Sequence, residues 1–291
     1  MADQTLLIDP HQLAQELEVG ADDLVVLDVR VHYVDGEPVP HRSAYEEGHL
    51  PGALFVDLVG ELSDPHDRLQ FTLPSAVRFS RAVGALGVGD ESRVVVYTDG
   101  WQIWATRLWW LFRYFGFDRV RVLNGNFRSW AAAGLPVSQE IPSPVPAEFT
   151  ARPRQELVID EREVERISSG EAPGLLVNAL PYELFTGEVP THGTTAGRIP
   201  ASANIPWPVA ADLDSGRFAD PQEIERAAAP VLSAAGEGGP VAAYCGAGVS
   251  ATGLIFGLAL IGRDDIRLYD GSLDSWVLGG RRGLERGEPG A

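Results

Sequence analysis

The chain has 291 residues, enough for about two domains, and its 45% hydrophobic and 22% charged composition is that of an ordinary globular protein. With 23 basic and 41 acidic residues the formal net charge is -18, which argues against nucleic acid or an anionic membrane surface as a partner. All the basic residues are arginine, so lysine mechanisms, such as Schiff-base chemistry or a Walker A phosphate site, are excluded. Small molecules or proteins are the expected partners.

Elements predicted in chain order alternate between strands and helices. Apolar β-branched runs predict strands at 24–29, 93–98 and 120–123 in the first half, and at 175–178, 241–244 and 266–269 in the second. Helical stretches separate them, which is typical of a parallel α/β sheet buried on both faces. The predicted fold class is therefore α/β, with helices flanking parallel sheets.

The two halves also repeat local sequence, which indicates a duplication. GHLP at 48–51 is matched by GRIP at 197–200, and VRVLNGNFRSW from Val120 is matched by IRLYDGSLDSW from Ile266. A proline-rich stretch around Pro144 separates the halves, as expected of an extended linker. We expect a first domain at 1–140, a linker at 141–156 and a second domain at 157–291.

Two stretches of unusual composition have simple structural interpretations. Trp101, Trp104, Trp109 and Trp110 crowd one predicted helix, and we interpret them as core and inter-domain packing residues rather than as a ligand cage. The uncharged stretch 238–262 is long enough to cross a bilayer, but a short strand pattern and a glycine-containing loop interrupt it. We therefore expect a strand, a loop and a buried helix there, and no membrane span.

The residues that commonly bind metals or form disulfides are sparse. Cys245 is the only cysteine, so an intrachain disulfide and a thiolate-rich zinc or iron–sulfur site are excluded. The histidines show no metal-ligand spacing, and we expect neither a metal nor a cofactor. The N-terminal stretch is acidic and lacks an apolar run of signal-peptide length, which predicts a cytoplasmic protein.

Cys245 directly follows the predicted strand at 241–244, at the carboxyl end where parallel sheets bind ligands. The small residues after it lead into a helical stretch, so successive backbone amides and the helix N-terminus predict an anion cradle. This cradle comprises Gly246, Ala247, Gly248, Val249 and Ser250. We expect it to favour a thiolate and to lower the pKa of Cys245 below the free value of about 8.5. A buried apolar cysteine is the alternative interpretation.

Several strings resemble the tandem-domain rhodanese-type sulfurtransferases, and the resemblance covers nearly the whole chain. They are CGAGVSA at 245–251, YDGS at 269–272, AGRIPASANIPW at 196–207, EGHLPGALFVDL at 47–58 and WWLFRYFG at 109–116. The resemblance implies two rhodanese-like domains, of which only the second is catalytic, because Thr98 stands in the first where Cys245 stands in the second.

The resemblance also implies a sulfur relay that needs no metal or cofactor. Cys245 would take a sulfane sulfur from a small-molecule donor, thiosulfate or 3-mercaptopyruvate, and hold it as a persulfide. It would then pass the sulfur to a thiophilic acceptor, either cyanide or a thiol. Amide donors stabilise an anionic persulfide as they stabilise an oxyanion, so the predicted cradle suits this chemistry.

The departures from the family pattern concern the sulfur donor. The loop is similar to that of the 3-mercaptopyruvate branch, although Ala247 lacks the hydroxyl of that branch, and thiosulfate-preferring members have basic residues where Gly246 and Ala247 stand. Phe71 occupies the place of a relay histidine, and Thr186 that of a substrate arginine. Arg198 replaces the histidine of the family's GHIPGA string. We expect Arg198 and Thr186 to border the donor pocket and leave both donors open, 3-mercaptopyruvate slightly favoured.

Two other functions are alternatives to sulfur transfer. A phosphatase of the related fold clamps phosphate with an arginine six places after its cysteine, where this chain has Ala251, so the transition-state charge would have no partner. The remaining alternative is an inactive rhodanese-like binding or regulatory module. A persulfide trapped on Cys245 would distinguish the enzyme from that module.

Overall fold

The computed structural model describes residues 6–191, 195–236, 239–278, 280 and 282–288, which form two compact units. The first unit comprises Met1–Arg154 and Asp212–Phe218, and the second comprises Gln155–Ala211 and Ala219–Ala291. The segment Asp212–Phe218 thus belongs to the first unit although second-unit residues precede and follow it. Within the first unit, the carbonyl of Gly216 accepts a hydrogen bond from Gln102 Nε2 at 2.6 Å.

The first unit contains a parallel five-stranded sheet in the order β1-β7-β6-β2-β5, and a separate antiparallel hairpin, β3–β4. The strands are β1 (Leu7–Ile8), β2 (Leu24–Asp28), β3 (Val31–Val34), β4 (Glu37–Pro40), β5 (Leu54–Phe55), β6 (Arg93–Tyr97) and β7 (Val120–Leu123). The helices are α1 (Pro10–Val19), α2 (Arg42–Glu47), α3 (Ala76–Ala85), α4 (Ile103–Tyr114) and α5 (Phe127–Ala132).

Local sequence explains where the first helix begins and ends. Asp9 caps α1 because its carboxylate accepts the backbone N–H of His11 at 2.8 Å, and Pro10 in the first turn has no N–H that needs an acceptor. Gly20 ends the helix in the left-handed conformation at φ 72°, which costs a residue without Cβ little. This helix therefore has both of its expected boundary signals.

The tryptophan-rich helix α4 forms much of the core of the first unit. Trp104, Trp109 and Trp110 are buried, as predicted, and burial of about 150–250 Å² of each such side chain contributes roughly 4–6 kcal/mol. Trp101 lies before the helix and is 54% exposed, so it is not part of the buried core. Trp101 lies in the loop between β6 and α4 and is therefore not on the buried face of the helix.

The second unit contains a parallel four-stranded sheet in the order β11-β10-β8-β9. The strands are β8 (Leu175–Asn178), β9 (Ala203–Asn204), β10 (Val241–Tyr244) and β11 (Arg267–Leu268). The helices are α6 (Glu161–Ser168), α7 (Tyr182–Thr186), α8 (Pro221–Leu232), α9 (Ser250–Leu260) and α10 (Ser272–Val277), with short 3-10 turns at Gln155–Leu157, Trp207–Val209 and Ser233–Ala235.

The uncharged stretch 238–262 folds as the sequence predicts. From Gly239 onward it consists of β10, a loop and the buried helix α9. Gly257 lets α9 pack closely, since a Cβ there would lie 2.5 Å from the Cβ of Ala210. Among the residues that the structure describes, no helix is long and apolar enough to cross a membrane.

The two units repeat the same side-chain contacts at equivalent places. The phenol oxygen of Tyr97, at the end of β6, accepts the backbone N–H of Leu50 at 3.0 Å. The phenol oxygen of Tyr244, at the end of β10, accepts the backbone N–H of Ile199 at the same distance. These tyrosines tie equivalent loops to the central strand of each sheet, so the sequence repeat corresponds to a repeat in structure.

Candidate active site

Cys245 lies immediately after β10, at the carboxyl end of a central strand of the second sheet. All four residues of β10 are buried, and the cysteine side chain is itself only 1% exposed. The backbone carbonyl of Cys245 accepts the N–H of Leu273 at 3.1 Å, which fixes the start of the loop against α10. The sulfur is therefore held at a defined position in the interior of the unit.

Backbone amides surround the sulfur, as a cradle requires. Those of Ala251, Ala247 and Gly248 form hydrogen bonds that lower the pKa of the Cys245 thiol by stabilising its anion. The carbonyls of Gly246 and Val249 accept the backbone N–H groups of Asp274 at 3.0 Å and of Thr252 at 2.9 Å, and these hydrogen bonds hold the loop in place. Of the predicted cradle residues, Ala247 and Gly248 therefore bring their amides to the sulfur.

Ala251, in the first turn of α9, was not predicted as a cradle residue. Its amide reaches the sulfur because the first amides of a helix have no intrahelical acceptor and point beyond the N-terminus. The helical period after Ser250 is the sequence signal that could have identified it. Ser250 is the first residue of the helix and connects the loop to this amide.

Burial opposes the cradle and has the larger effect on the resting thiol. Transfer of the thiolate out of water raises the pKa of Cys245 above its ordinary value, and the surrounding amide and hydroxyl donors only partly offset this rise. The expectation of a lowered pKa is therefore wrong for the resting thiol. Sequence could place the donors around the sulfur but could not give its degree of burial.

Gly248 is required by the loop geometry. Its φ of 76° lies in the left-handed region, and a Cβ there would lie 2.3 Å from the carbonyl oxygen of Asp270. A side chain would therefore strain the backbone and collide with the turn between β11 and α10. The glycine-containing loop predicted from sequence is thus held against this neighbouring turn.

Ser272 is a site residue to which the sequence analysis gave no role. Its buried hydroxyl accepts the backbone N–H of Cys245 at 3.1 Å, donates to the carbonyl of Tyr269 at 2.9 Å and lies 4.0 Å from Cys245 Sγ. It reaches the cysteine because β11 pairs with β10, so the residues that follow the two strands meet at one sheet edge. Its place in the YDGS string was the available signal.

Arg198 is buried in the second unit with partners of its own. Its Nη1 donates to the carbonyl of Gly287 at 2.7 Å, its Nε lies 3.5 Å from Glu285 Oε2, and its guanidinium lies 4.6 Å from the ring centre of Phe185. The backbones of Arg198 and Glu285 also pair as an isolated antiparallel bridge. These contacts favour a structural role, so its predicted place beside the sulfur donor stays a prediction.

Thr186, the other residue expected near the donor, ends α7. Its hydroxyl donates to the carbonyl of Glu183 at 3.2 Å, one turn earlier in the same helix, and its own carbonyl accepts the N–H of Gly287 at 2.8 Å. Thr186 and Arg198 therefore both contact the segment 285–287. Their shared neighbour indicates a role in holding this segment, and neither contact involves Cys245.

The corresponding loop of the first unit has different chemistry. Thr98 takes the place of Cys245, and its buried hydroxyl has no hydrogen-bond partner among the described residues. The Asn126 side chain, at the place of Ser272, donates to the carbonyl of Gly100 at 3.4 Å, and Gln102 donates to the carbonyl of Gly125 at 2.6 Å. Side-chain amides thus bind the backbone of this loop, which has no nucleophilic sulfur.

No metal centre is evident in the part of the chain that the structure describes, where no group of three or more histidine, cysteine, aspartate or glutamate side chains could hold an ion. The chemistry of the second-unit loop is thus that of a single sulfur among hydrogen-bond donors. Such an arrangement can stabilise negative charge on the sulfur or on a second sulfur bonded to it.

Comparison with known proteins identifies the family. The Rhodanese-like domain family matches residues 9–133. The chain is 34% identical over 290 residues to a probable 3-mercaptopyruvate sulfurtransferase of Pseudomonas aeruginosa, a match that covers 97% of this chain and 98% of that protein. It is 34% identical over 242 residues to a thiosulfate sulfurtransferase of Gallus gallus, covering 81% of this chain and 80% of that one.

A solved structure supports the same assignment. The fold is similar to that of SseA, a 3-mercaptopyruvate sulfotransferase from Escherichia coli, with a TM-score of 0.80 at 26% identity over 92% of this chain and 99% of that one. This similarity confirms the predicted pair of tandem rhodanese-like α/β domains. The chain belongs to the family of rhodanese-type sulfurtransferases.

Proposed function

We propose that Cys245 is the nucleophile of a two-step sulfur transfer and carries the sulfur as a persulfide. In the first step the thiolate attacks the sulfane sulfur of the donor, and the donor remainder leaves with the electron pair of the broken bond. In the second step an acceptor, cyanide or a thiolate, attacks the outer sulfur and releases the Cys245 thiolate. The observation that carries this proposal is the set of amide donors around the sulfur, from Ala247, Gly248 and Ala251.

These donors suit an anionic persulfide more than the resting thiol. A neutral thiol is favoured by burial, whereas a persulfide anion needs hydrogen bonds to replace the water that it has lost. The cradle and the N-terminus of α9 supply those hydrogen bonds without rearrangement of the backbone. Gly246, Val249 and Ser250 complete the loop that we propose as the donor-binding cradle.

We propose thiosulfate and 3-mercaptopyruvate as the candidate donors. Relatives of similar identity are named for each, the Pseudomonas aeruginosa protein for 3-mercaptopyruvate and the Gallus gallus protein for thiosulfate. With thiosulfate the leaving group is sulfite; with 3-mercaptopyruvate the carbon keeps the electron pair and takes a proton to give pyruvate. The loop sequence slightly favours 3-mercaptopyruvate, while the partners of Arg198 leave no clear carboxylate clamp at that residue.

Only the second half of the chain is catalytic in this proposal. We assign catalysis to residues 157–291 and a non-catalytic role to residues 1–140, joined by the linker at 141–156, because Thr98 replaces the nucleophile in the first half. We also place the reaction in the cytoplasm, where thiol acceptors stay reduced. Nucleic acid and membranes are not proposed as partners, because the net charge of -18 disfavours both.

Sulfur transfer by Cys245→Ser tests the proposal, with Ser275→Ala as a control for a serine outside the cradle, whose hydroxyl donates to Glu161 Oε2 at 2.6 Å. The serine variant should lose transfer from both donors, because an alcohol without a base is a poor nucleophile. Wild-type kinetics should be ping-pong, since the donor remainder leaves before the acceptor reacts. Transfer at a comparable rate by Cys245→Ser would overturn the assignment and favour the inactive-module alternative for this loop.

A further inference from the structure

We infer that the Ser272 hydroxyl is a switchable hydrogen-bond donor of this site, which turns its hydrogen from the carbonyl of Tyr269 to the Cys245 sulfur when that sulfur becomes negative. The inference rests on the proposed function, because it assigns a role in stabilising the sulfur anion. No covalent bond to hydrogen breaks in this change. The hydroxyl rotates and exchanges one hydrogen-bond acceptor for another.

The geometry gives the hydroxyl hydrogen two alternative acceptors. Ser272 Oγ lies 2.9 Å from the carbonyl oxygen of Tyr269 and 4.0 Å from Cys245 Sγ. A hydroxyl has one hydrogen, so it can donate to only one of them at a time. The nearer carbonyl holds the hydrogen while the sulfur is a neutral thiol, and a negative sulfur is the stronger acceptor because charge strengthens hydrogen bonds.

The exchange leaves the Tyr269 carbonyl with a partner. Its oxygen also accepts the backbone N–H of Ser272 at 3.1 Å, so departure of the hydroxyl hydrogen does not create a buried acceptor without a donor. This matters because a buried polar group that loses its only partner costs about 1–3 kcal/mol. Two donors on one carbonyl therefore make the hydroxyl free to rotate at little cost.

The backbone of Cys245 prepares the hydroxyl for donation. Ser272 Oγ accepts the Cys245 N–H at 3.1 Å, and an oxygen that accepts one hydrogen bond becomes a better donor of another. The same contact keeps the oxygen beside the sulfur while its hydrogen moves. The hydroxyl also lowers the pKa of the Cys245 thiol, in the direction expected of a donor to the thiolate.

The backbone conformation of Ser272 allows the hydroxyl to be removed in two ways. Its φ of 51° is unusual for a residue with a Cβ and is one that glycine adopts readily. Ser272→Ala removes the hydroxyl and keeps the backbone cost, whereas Ser272→Gly removes the hydroxyl and relieves it. Ser275→Ala is the matched control, because that serine lies in the same helix and donates to Glu161 Oε2 at 2.6 Å instead.

The experiment is a titration of the Cys245 thiolate by its ultraviolet absorbance in the full-length enzyme without donor. Cys245 is the only cysteine, so subtraction of the titration of Cys245→Ser, which keeps all seven tyrosines, leaves the signal of this sulfur alone. We expect both Ser272→Ala and Ser272→Gly to reduce the thiolate fraction roughly tenfold at a fixed pH below the midpoint, about one pKa unit. Ser275→Ala should match the wild type. Asp270 and Asp274, the charged residues that flank Ser272 in sequence, are unchanged in every variant.

Each result either supports or overturns the inference. Equal losses in the alanine and glycine variants support it, because the two share only the missing hydroxyl. An unchanged titration in either folded variant overturns it; a loss in Ser272→Ala alone assigns the effect to the backbone. If Ser272→Ala fails to fold, Ser272→Gly decides alone. Because no donor is present, the outcome is separate from that of sulfur transfer by Cys245→Ser.

Discussion

Arg30 and Asp28 form a buried bidentate ion pair in the first unit, with Nε 2.8 Å from Oδ1 and Nη2 2.7 Å from Oδ2. The equivalent places in the second unit hold Asn178 and Leu180, where the asparagine Oδ1 accepts the leucine N–H at 2.8 Å. Both charges are thus present in one unit and both are replaced in the other. This pattern is expected where an unpaired buried charge costs far more than a neutral pair.

Replacement of Asp28 and Arg30 by the asparagine and leucine of the second unit tests whether each charge depends on the other. Arg30→Leu alone should lower the free energy of unfolding by about 3–5 kcal/mol, because it leaves the Asp28 carboxylate buried without its cation. The double variant Asp28→Asn with Arg30→Leu should be less destabilised than the sum of the single variants, measured by urea unfolding at neutral pH. A loss in the double variant equal to the sum of the losses in the single variants would contradict this coupling of the two charges.

The loss of stability in Arg30→Leu should also depend on pH. Burial raises the pKa of Asp28 and Arg30 lowers it, so removal of the arginine leaves the raising effect. A carboxyl whose folded pKa lies above its unfolded value contributes stability at low pH that is lost as the pH rises. The deficit of Arg30→Leu should therefore be smaller near pH 4 than at neutral pH. A deficit that shrinks with rising pH would be inconsistent with this explanation.

Arg198→Ala should affect stability more than catalysis. It removes the donor to the Gly287 carbonyl, the cation beside Glu285 and the contact with the Phe185 ring, so we expect a loss of about 2–3 kcal/mol in the free energy of unfolding. The kcat/KM of the folded variant should change little with either donor. A loss of kcat/KM of ten- to hundredfold with unchanged stability would instead place Arg198 in the donor pocket.

The first unit should not acquire activity when given a cysteine. Thr98→Cys in a Cys245→Ser background places a thiol after β6, but the amide side chains of Gln102 and Asn126 bind the backbone of this loop. The equivalent places of the second unit hold Val249 and Ser272, which have no side-chain amide. We expect no sulfur transfer from thiosulfate or 3-mercaptopyruvate. The thiol content, measured after unfolding, verifies that the new cysteine is intact. Transfer by this variant would show that the loop differences are immaterial.

Alkylation of Cys245 should reveal its raised pKa. Only the thiolate reacts, so the rate rises with pH through the folded pKa, which burial places above the ordinary cysteine value. The midpoint in the native protein should lie above that of the same protein unfolded in urea, which serves as the reference. Because the folded pKa is the higher one, this group's contribution to stability falls as pH rises through that interval. A native midpoint below the unfolded one would show that the cradle outweighs burial.

Several features of the fold and site follow from local sequence. The apolar β-branched runs predict β2, β6, β7, β8 and β10, because strands buried on both faces of a parallel sheet need continuous apolar sequence. The small residues after Cys245 predict the curled loop, since Gly248 must adopt a positive φ close to a carbonyl. The repeated strings at 48–51 and 197–200 put Leu50 and Ile199 at equivalent places, and their backbone amides donate to Tyr97 and Tyr244 respectively.

Other features depend on contacts between distant residues and could not be predicted in this way. Ser272 meets Cys245 through the pairing of β10 and β11, and its role depends on a backbone conformation that serine rarely adopts. The direction of the Cys245 pKa depends on burial by the whole unit. The inclusion of Asp212–Phe218 in the first unit has no signal in the local sequence.

The most direct test of sulfur transfer through Cys245 is the intact mass of the protein after incubation with thiosulfate and, separately, with 3-mercaptopyruvate. We expect a gain of one sulfur atom with at least one donor, which is lost again on addition of cyanide and is absent in Cys245→Ser. The single cysteine makes the position of the added sulfur unambiguous. No gain with either donor, or an equal gain in Cys245→Ser, would contradict the claim that Cys245 carries the transferred sulfur.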